Sequence, residues 1–414
     1  MKRMNDNPRM RASDIQRRSR ADPWIRSSIP LLSFLTLGLP AGAIGVAWPY
    51  MRASFGAPLA GLGLVLASLT LAYFLASAAS GPLTGRLGTS GLLVGGCGLS
   101  AVAWLGLALS PEWWIVPLVS FVAGAGSGLI DASVNAHISL TRGIRYMGWL
   151  HASWALGAAL GPPVVVLSLA GTSSWRAGFA AMGAAFLANG LLVSARRQDW
   201  AKATLSPTGH PSEKAPGRII YRRAIVMLAG LFLVAAGLEA TAGNWSYTQL
   251  TVGRGVPAGL ATWGATLFWA GLAAGRVALG VMGNRLPAIR LLDAGIGICV
   301  AATLAFWLAP PLVSALIALP MLGAAVSVIF PLLLSLTPGR VGTGMTAHAV
   351  GYGLAAGTIG GGGVPAGIGV VLQSVGLFTL GPLLTVLAIV LAMLHAISRG
   401  SRRFAQLGRG HSGS

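Results

Sequence analysis

Apolar and polar residues fall in long alternating blocks along this chain. The apolar stretches run over 29–50, 58–80, 91–109, 114–139, 147–169, 176–195, 224–248, 256–281, 289–308, 310–336, 345–372 and 375–396. About 18 residues with few charges are enough to cross the roughly 30 Å hydrocarbon core as a helix. The pattern predicts an all-α membrane protein with twelve transmembrane helices. Of the 29 Lys and Arg residues, only Arg52, Arg176 and Arg254 lie outside alternate gaps, with Arg276 counted at the inner end of the eighth stretch. The Lys/Arg bias of short loops sets membrane orientation. Both termini are therefore expected in the cytoplasm, and the protein in the plasma (inner) membrane.

Composition changes this picture little. Charged residues make up 9% of the chain, against about 25% in soluble domains. A net charge of +20 would favour nucleic acid in a soluble chain. Here the charges follow the orientation rule, so nucleic acid is not expected as a partner. The basic ends, 1–28 and 397–414, are expected to lie against anionic lipid headgroups. Cys97 and Cys299 sit in separate stretches without ligand-spaced His, which argues against a disulfide or a metal site. Residues 30–43 end in a cleavage-like Ala41-Gly42-Ala43, but cutting there would remove the first span, so the segment reads as uncleaved.

The longest polar interior segment, 196–223, divides the chain into bundles at 29–195 and 224–396. Gly81-Pro-Leu-Thr-Gly85-Arg86-Leu87 follows the second stretch and Gly280-Val-Met-Gly-Asn284-Arg285-Leu286 the eighth, a weak internal repeat. Two six-helix bundles joined by a linker are the plan of many secondary transporters, whose solute site lies near the midplane between repeats.

The nine acids supply few candidates for chemistry, because only Asp131 and Glu239 lie deep in apolar stretches. An intramembrane ionisable group costs about 2.5–3.5 kcal/mol on insertion scales and marks a functional site by default. Burial disfavours the charged form of a carboxylate, which suits such a group to exchanging protons. Asn135 stands four residues after Asp131 and shares its helix face. Gly124, Gly126 and Gly128 before them allow close helix approach. Glu239 opens the run Glu239-Ala-Thr-Ala-Gly-Asn244-Trp245, in which Asn244 and Trp245 could bind a polar solute. His151, expected to face Asp131, titrates in the physiological range. Trp154 on the next turn is a further solute contact. Arg276 and Asp293 could pair at the cytoplasmic face, or Arg276 could snorkel to the headgroups. With no Gly-Lys-Ser/Thr phosphate loop and only Lys2, Lys202 and Lys214, energy is expected from an ion gradient rather than ATP. No enzyme constellation and no cofactor is expected.

The turn with Gly81, Arg86 and Gly88 resembles the signature of the major facilitator superfamily, with Gly85 at the acidic position; Asn284 and Arg285 keep the second copy nearer the pattern. The resemblance implies the major facilitator fold and a cytoplasmic gate at Arg86 and Arg285. Span four, with Asp131 and Asn135 in a Gly-rich helix, is similar to the fucose:proton symporter branch, as is the Gly-rich run ahead of Pro365. That likeness implies proton-coupled symport of a small polar solute such as a sugar, by a monomer, with Asp131 serving solute or proton. Gly157-Ala-Ala-Leu-Gly161-Pro162 resembles part of an antiporter motif, which keeps a proton-driven exporter as a rival. A non-transporting receptor or scaffold is the third reading.

Overall fold

The computed structural model describes residues 23–141, 144–197, 200, 218–282, 285–341 and 346–410. Among them, eleven helices are long and apolar enough to cross a membrane. One of these, Gly61–Leu109, would be about 70 Å long if straight, more than twice the hydrocarbon core. It is two helices that meet at Gly88, whose φ of 69° and ψ of 165° break the helical path. A residue with a Cβ seldom takes that conformation, so the glycine makes a turn between spans with hardly any loop.

The twelve spans are thus α1 (Pro23–Phe55), α2 (61–87), α3 (89–109), α4 (Ile115–Thr141), α5 (Ile144–Thr172) and α6 (Trp175–Ala195) in the first half. The second half holds α7 (Arg218–Thr248), α8 (Ala258–Met282), α9 (Ala288–Leu308), α10 (Pro311–Leu336), α11 (Thr346–Ser374) and α12 (Leu380–Gly410). Single π turns at Gln249–Gly253 and Ser314–Ala318 extend α7 and interrupt α10. Every apolar stretch of the sequence is one helix. The expected linker falls mostly outside the described residues, and its last part, 218–223, already belongs to α7.

Glycines decide which helices touch. A Cβ on Gly157 or Gly161 of α5 would run into the Leu35 and Leu39 carbonyls of α1, and one on Gly38 or Gly42 into α5. Gly124 and Gly128 seat α4 on Leu69 and Tyr73 of α2, while Gly126, on the other side of the helix, seats it on α3. The second half repeats the arrangement. Gly360 of α11 meets the Leu233 carbonyl of α7, and Gly271 of α8 and Gly323 of α10 meet each other's helices. Lipid supplies no hydrophobic drive between helices, so such close backbone packing carries much of the association.

Arginine fixes the end away from the termini in both halves. Arg176, at the start of α6, donates to the Ala108 and Ser110 carbonyls at 3.0 and 2.6 Å, at the exit of α3. Arg254, after α7, donates to the Phe306 and Trp307 carbonyls at 2.8 and 2.9 Å, at the exit of α9. Each guanidinium also lies over an aromatic ring, Trp175 at 4.7 Å and Phe306 at 5.4 Å. Arg52 donates to the Ala57 carbonyl at 3.1 Å. The three exceptions to the charge bias therefore all hold backbone carbonyls at helix ends.

The bundles meet through α1 against α7, α2 against α11 and α5 against α8. At the end away from the termini, Tyr50 and Tyr247 share a hydrogen bond of 2.9 Å, and Gln373 accepts the Ala60 N–H at 2.8 Å. Gly63 lies on Ala366 and Gly45 on the Asn244 backbone. Nearer the termini the described joints include Trp154–Trp269 and Arg276–His151, while Arg86, His348 and Tyr352 are exposed. The structure is shut at the far end.

Candidate solute and proton site

Two intramembrane carboxylates occupy opposite bundles. In the first bundle Asp131, half-buried on α4, accepts a 2.8 Å hydrogen bond from the Tyr73 hydroxyl of α2, and Asn135 one turn later is its second partner. The approach is possible because Gly128 lets α4 sit directly on the Tyr73 backbone. His151, the expected neighbour of Asp131, is elsewhere. Its ring meets Phe34 of α1 edge-on at 5.6 Å. The correction follows from packing, since α5 lies against α1, and α2 takes the face of α4 that carries Asp131.

In the second bundle Glu239 of α7 faces Arg276 of α8, with Oε1 3.8 Å from Nη2. Arg276 reaches across the seam as well. Its Nη1 donates to the His151 carbonyl at 3.3 Å, and its guanidinium lies 5.4 Å above the Trp154 ring. Trp154 meets Trp269 of α8 edge-on at 5.7 Å. Arg276 is therefore no cytoplasmic-face residue, and it neither snorkels nor pairs with Asp293. Its side chain is only 14% exposed and points into the bundle interface. Asp293 instead turns to α12, where His395 Nε2 lies 2.7 Å from Oδ1 and Arg399 pairs with Oδ2. Spacing on one helix cannot reveal this, although His395 and Arg399, one turn apart at the end of the last apolar stretch, were a readable signal.

The remaining expected residues sort by exposure. Arg86 and Arg285 stand exposed at the ends of α2 and α8, while Asn284 lies outside the described residues. Asn244 is buried beneath Gly45 and donates to the Ala240 carbonyl of its own helix at 2.8 Å. Trp245 is wholly buried, packs on Gly369 and donates its indole N–H to the Pro365 carbonyl at 2.9 Å. That tryptophan ties α7 to α11 and presents no ring face to a solute. Tyr73 and Trp269, which the sequence did not single out, take its place beside the charged groups. Among the described residues no group of three or more His, Cys, Asp and Glu side chains gathers to hold a metal ion.

The same chain architecture is found among known proteins. The family model described as Major Facilitator Superfamily matches residues 31–365. The chain belongs to the Major Facilitator Superfamily. It is a multi-pass membrane transporter of that superfamily, with the all-α fold of two bundles. Among solved structures, a point mutant of the nucleoside transporter NupG superposes with a TM-score of 0.72 at 14% identity, covering 91% of this chain and 99% of that one. At that identity the likeness carries the fold alone. No curated protein matches the sequence.

Proposed function

We propose that the protein is a proton-coupled symporter that moves a small polar solute by alternating access, with Asp131 and Glu239 as the proton-exchanging groups. The observation that carries this reading is the arrangement of Glu239, Arg276 and the His151 carbonyl: a carboxylate in one bundle held through a guanidinium to the backbone of the other. Rocking one bundle against the other must change what Arg276 touches, and so what Glu239 feels. A change in one charged partner alters proton occupancy of the other, which links a bundle movement to a proton. Asp131 and Asn135, on a half-buried face of the other bundle, offer a second acid with polar neighbours. The likeness of span four to the fucose:proton symporter branch favours a polar solute.

The exporter reading rested on Gly157 and Gly161, and close packing on α1 accounts for both. The site residues support flux over a receptor role, because charged groups inside a bundle seam are costly unless used. The test is solute uptake into proteoliposomes under an imposed pH gradient. Accumulation of a polar solute that collapses with the gradient supports symport. Extrusion driven by the same gradient supports the exporter, and absence of flux supports the receptor.

Orientation is a separate expectation. The termini face the cytoplasm, the protein lies in the plasma membrane, and the basic tails rest on anionic headgroups. Single cysteines at Arg197 and at exposed Gly253 separate the two sides. In intact cells a membrane-impermeant thiol reagent is expected to label the Gly253 variant and spare the Arg197 variant. The reverse pattern overturns the orientation.

A further inference from the structure

Arg276 is a buried cation whose donors are largely unused. A guanidinium carries five N–H donors in a planar fork. Here the protein offers two distant acceptors, Glu239 Oε1 at 3.8 Å and the His151 carbonyl at 3.3 Å. Neither charged side chain is sealed, since Arg276 keeps 14% of its surface open and Glu239 19%. The surroundings are aromatic: the guanidinium lies over Trp154, Trp269 meets Trp154 edge-on, and Trp269 continues to Phe268 at 5.0 Å. The Trp269 indole N–H is buried without a hydrogen-bond partner. A free fork of donors beside flat apolar walls suits a carboxylate on an apolar body.

The charge balance then has a consequence. An uncompensated charge inside the bilayer is costly, and the empty site is neutral because Glu239 offsets Arg276. An incoming carboxylate adds one negative charge, which a proton on Glu239 cancels. We infer that the Arg276–Glu239 site takes a solute bearing one carboxylate on an apolar body, and that each carboxylate bound to Arg276 is accompanied by one proton on Glu239. This inference rests on the symporter reading above and names its solute class. No covalent bond of the solute changes. The proton comes from the water on the side the site faces, and the solute anion replaces Glu239 as the partner of Arg276. Empty and loaded forms of this site are both neutral, so the step at Arg276 and Glu239 responds to a pH gradient and adds no charge movement of its own.

The other titratable groups near α7 do not disturb this balance. From α1, Tyr50 is engaged with Tyr247 at the shut end. From α5, the His151 ring packs on Phe34. Within 311–336, α10 carries no Asp, Glu, His, Lys, Arg, Cys or Tyr. On α11, His348 and Tyr352 stand at the exposed beginning of the helix, and on α12 His395 is taken by Asp293. Arg340, on the short helix Pro338–Val341 that also packs on α7, acts on His395, and Arg276 is the charged group that acts on Glu239.

The test is binding of benzoate and 3-phenylpropionate, with their neutral amides as controls, to the purified full-length protein by tryptophan fluorescence and thermal shift. The carboxylates are expected to bind, more tightly at lower pH, with about one proton taken up per anion in weak buffer; the amides are not. Arg276→Gln is expected to weaken carboxylate binding by about tenfold or more, the scale of a lost charge-assisted hydrogen bond. Should that variant fail to fold, Glu239→Gln decides. It leaves Arg276 without its counter-ion, so benzoate should bind more tightly than to wild type and lose its pH dependence. Equal binding of acids and amides, no carboxylate binding, or an unchanged affinity and pH profile in Glu239→Gln overturns the inference. Proteoliposomes separate the two readings. Carboxylate binding of this form without gradient-driven uptake leaves the site standing and sinks the symporter. Gradient-driven uptake of a neutral solute alone keeps the symporter and sinks the carboxylate site.

Discussion

Asp131→Asn is expected to reduce gradient-driven accumulation to simple equilibration while the protein still inserts and folds. The Tyr73 hydroxyl donates to Asp131 at 2.8 Å, and an amide oxygen of the same size can accept that bond. The fold loses at most one altered hydrogen bond, about 1 kcal/mol. The titratable group is removed altogether. Solute exchange without a gradient should survive, because exchange need not discharge a proton. The measurement is uptake and counterflow in the same proteoliposomes, with melting temperature as the check on folding. Accumulation at the wild-type level would make Asp131 a structural partner of Tyr73 and remove it from the coupling scheme.

Gly157→Val is expected to prevent recovery of folded protein. A Cβ at Gly157 would strike the Leu35 carbonyl oxygen and its carbon, which are backbone atoms. Helix α5 cannot then sit on α1 without both moving, and Gly38 and Gly42 make the same contact from the other side. The cost should exceed the roughly 1–3 kcal/mol of ordinary overpacking, because no flexible side chain can yield. Gly148→Ala on the same helix is the control, since nothing lies within 4 Å of the position its Cβ would occupy. Size-exclusion profile and thermal unfolding in detergent measure both variants. A folded Gly157→Val protein with wild-type melting would show that the α1–α5 contact contributes little.

These two residues also mark what could be read from the sequence. The twelve spans were legible because each is a long apolar run, and the glycines of span four announced close packing. Their partners were not legible. Gly124 and Gly126 turn to different helices although they are two residues apart. The same limit explains the site. Asp131 and Glu239 stand out because acids are rare inside apolar stretches, but Tyr73 and Trp269 are ordinary aromatics until the folding of α2 and α8 brings them near. Arg276 was misread because a long side chain close to a helix end can point either way. Glu239, Trp154 and the His151 carbonyl, all distant in sequence, draw it inward.

Arg176 and Arg254 pose a problem for biogenesis that the folded protein has already solved. With the termini in the cytoplasm, as proposed, each would have to cross the bilayer during insertion, against the tendency of positive residues to be retained on the cytoplasmic side. In the folded protein each guanidinium is met by carbonyl oxygens at the exit of α3 or α9 and by an aromatic face. Those carbonyls are the ones a helix end leaves without intrahelical partners. Translocation of each arginine is thus followed by a contact that only a correctly threaded chain can make. An inverted hairpin would leave the arginine without its carbonyls and the helix end without its cap, so the two charges that resist crossing also act as checks on the topology once across.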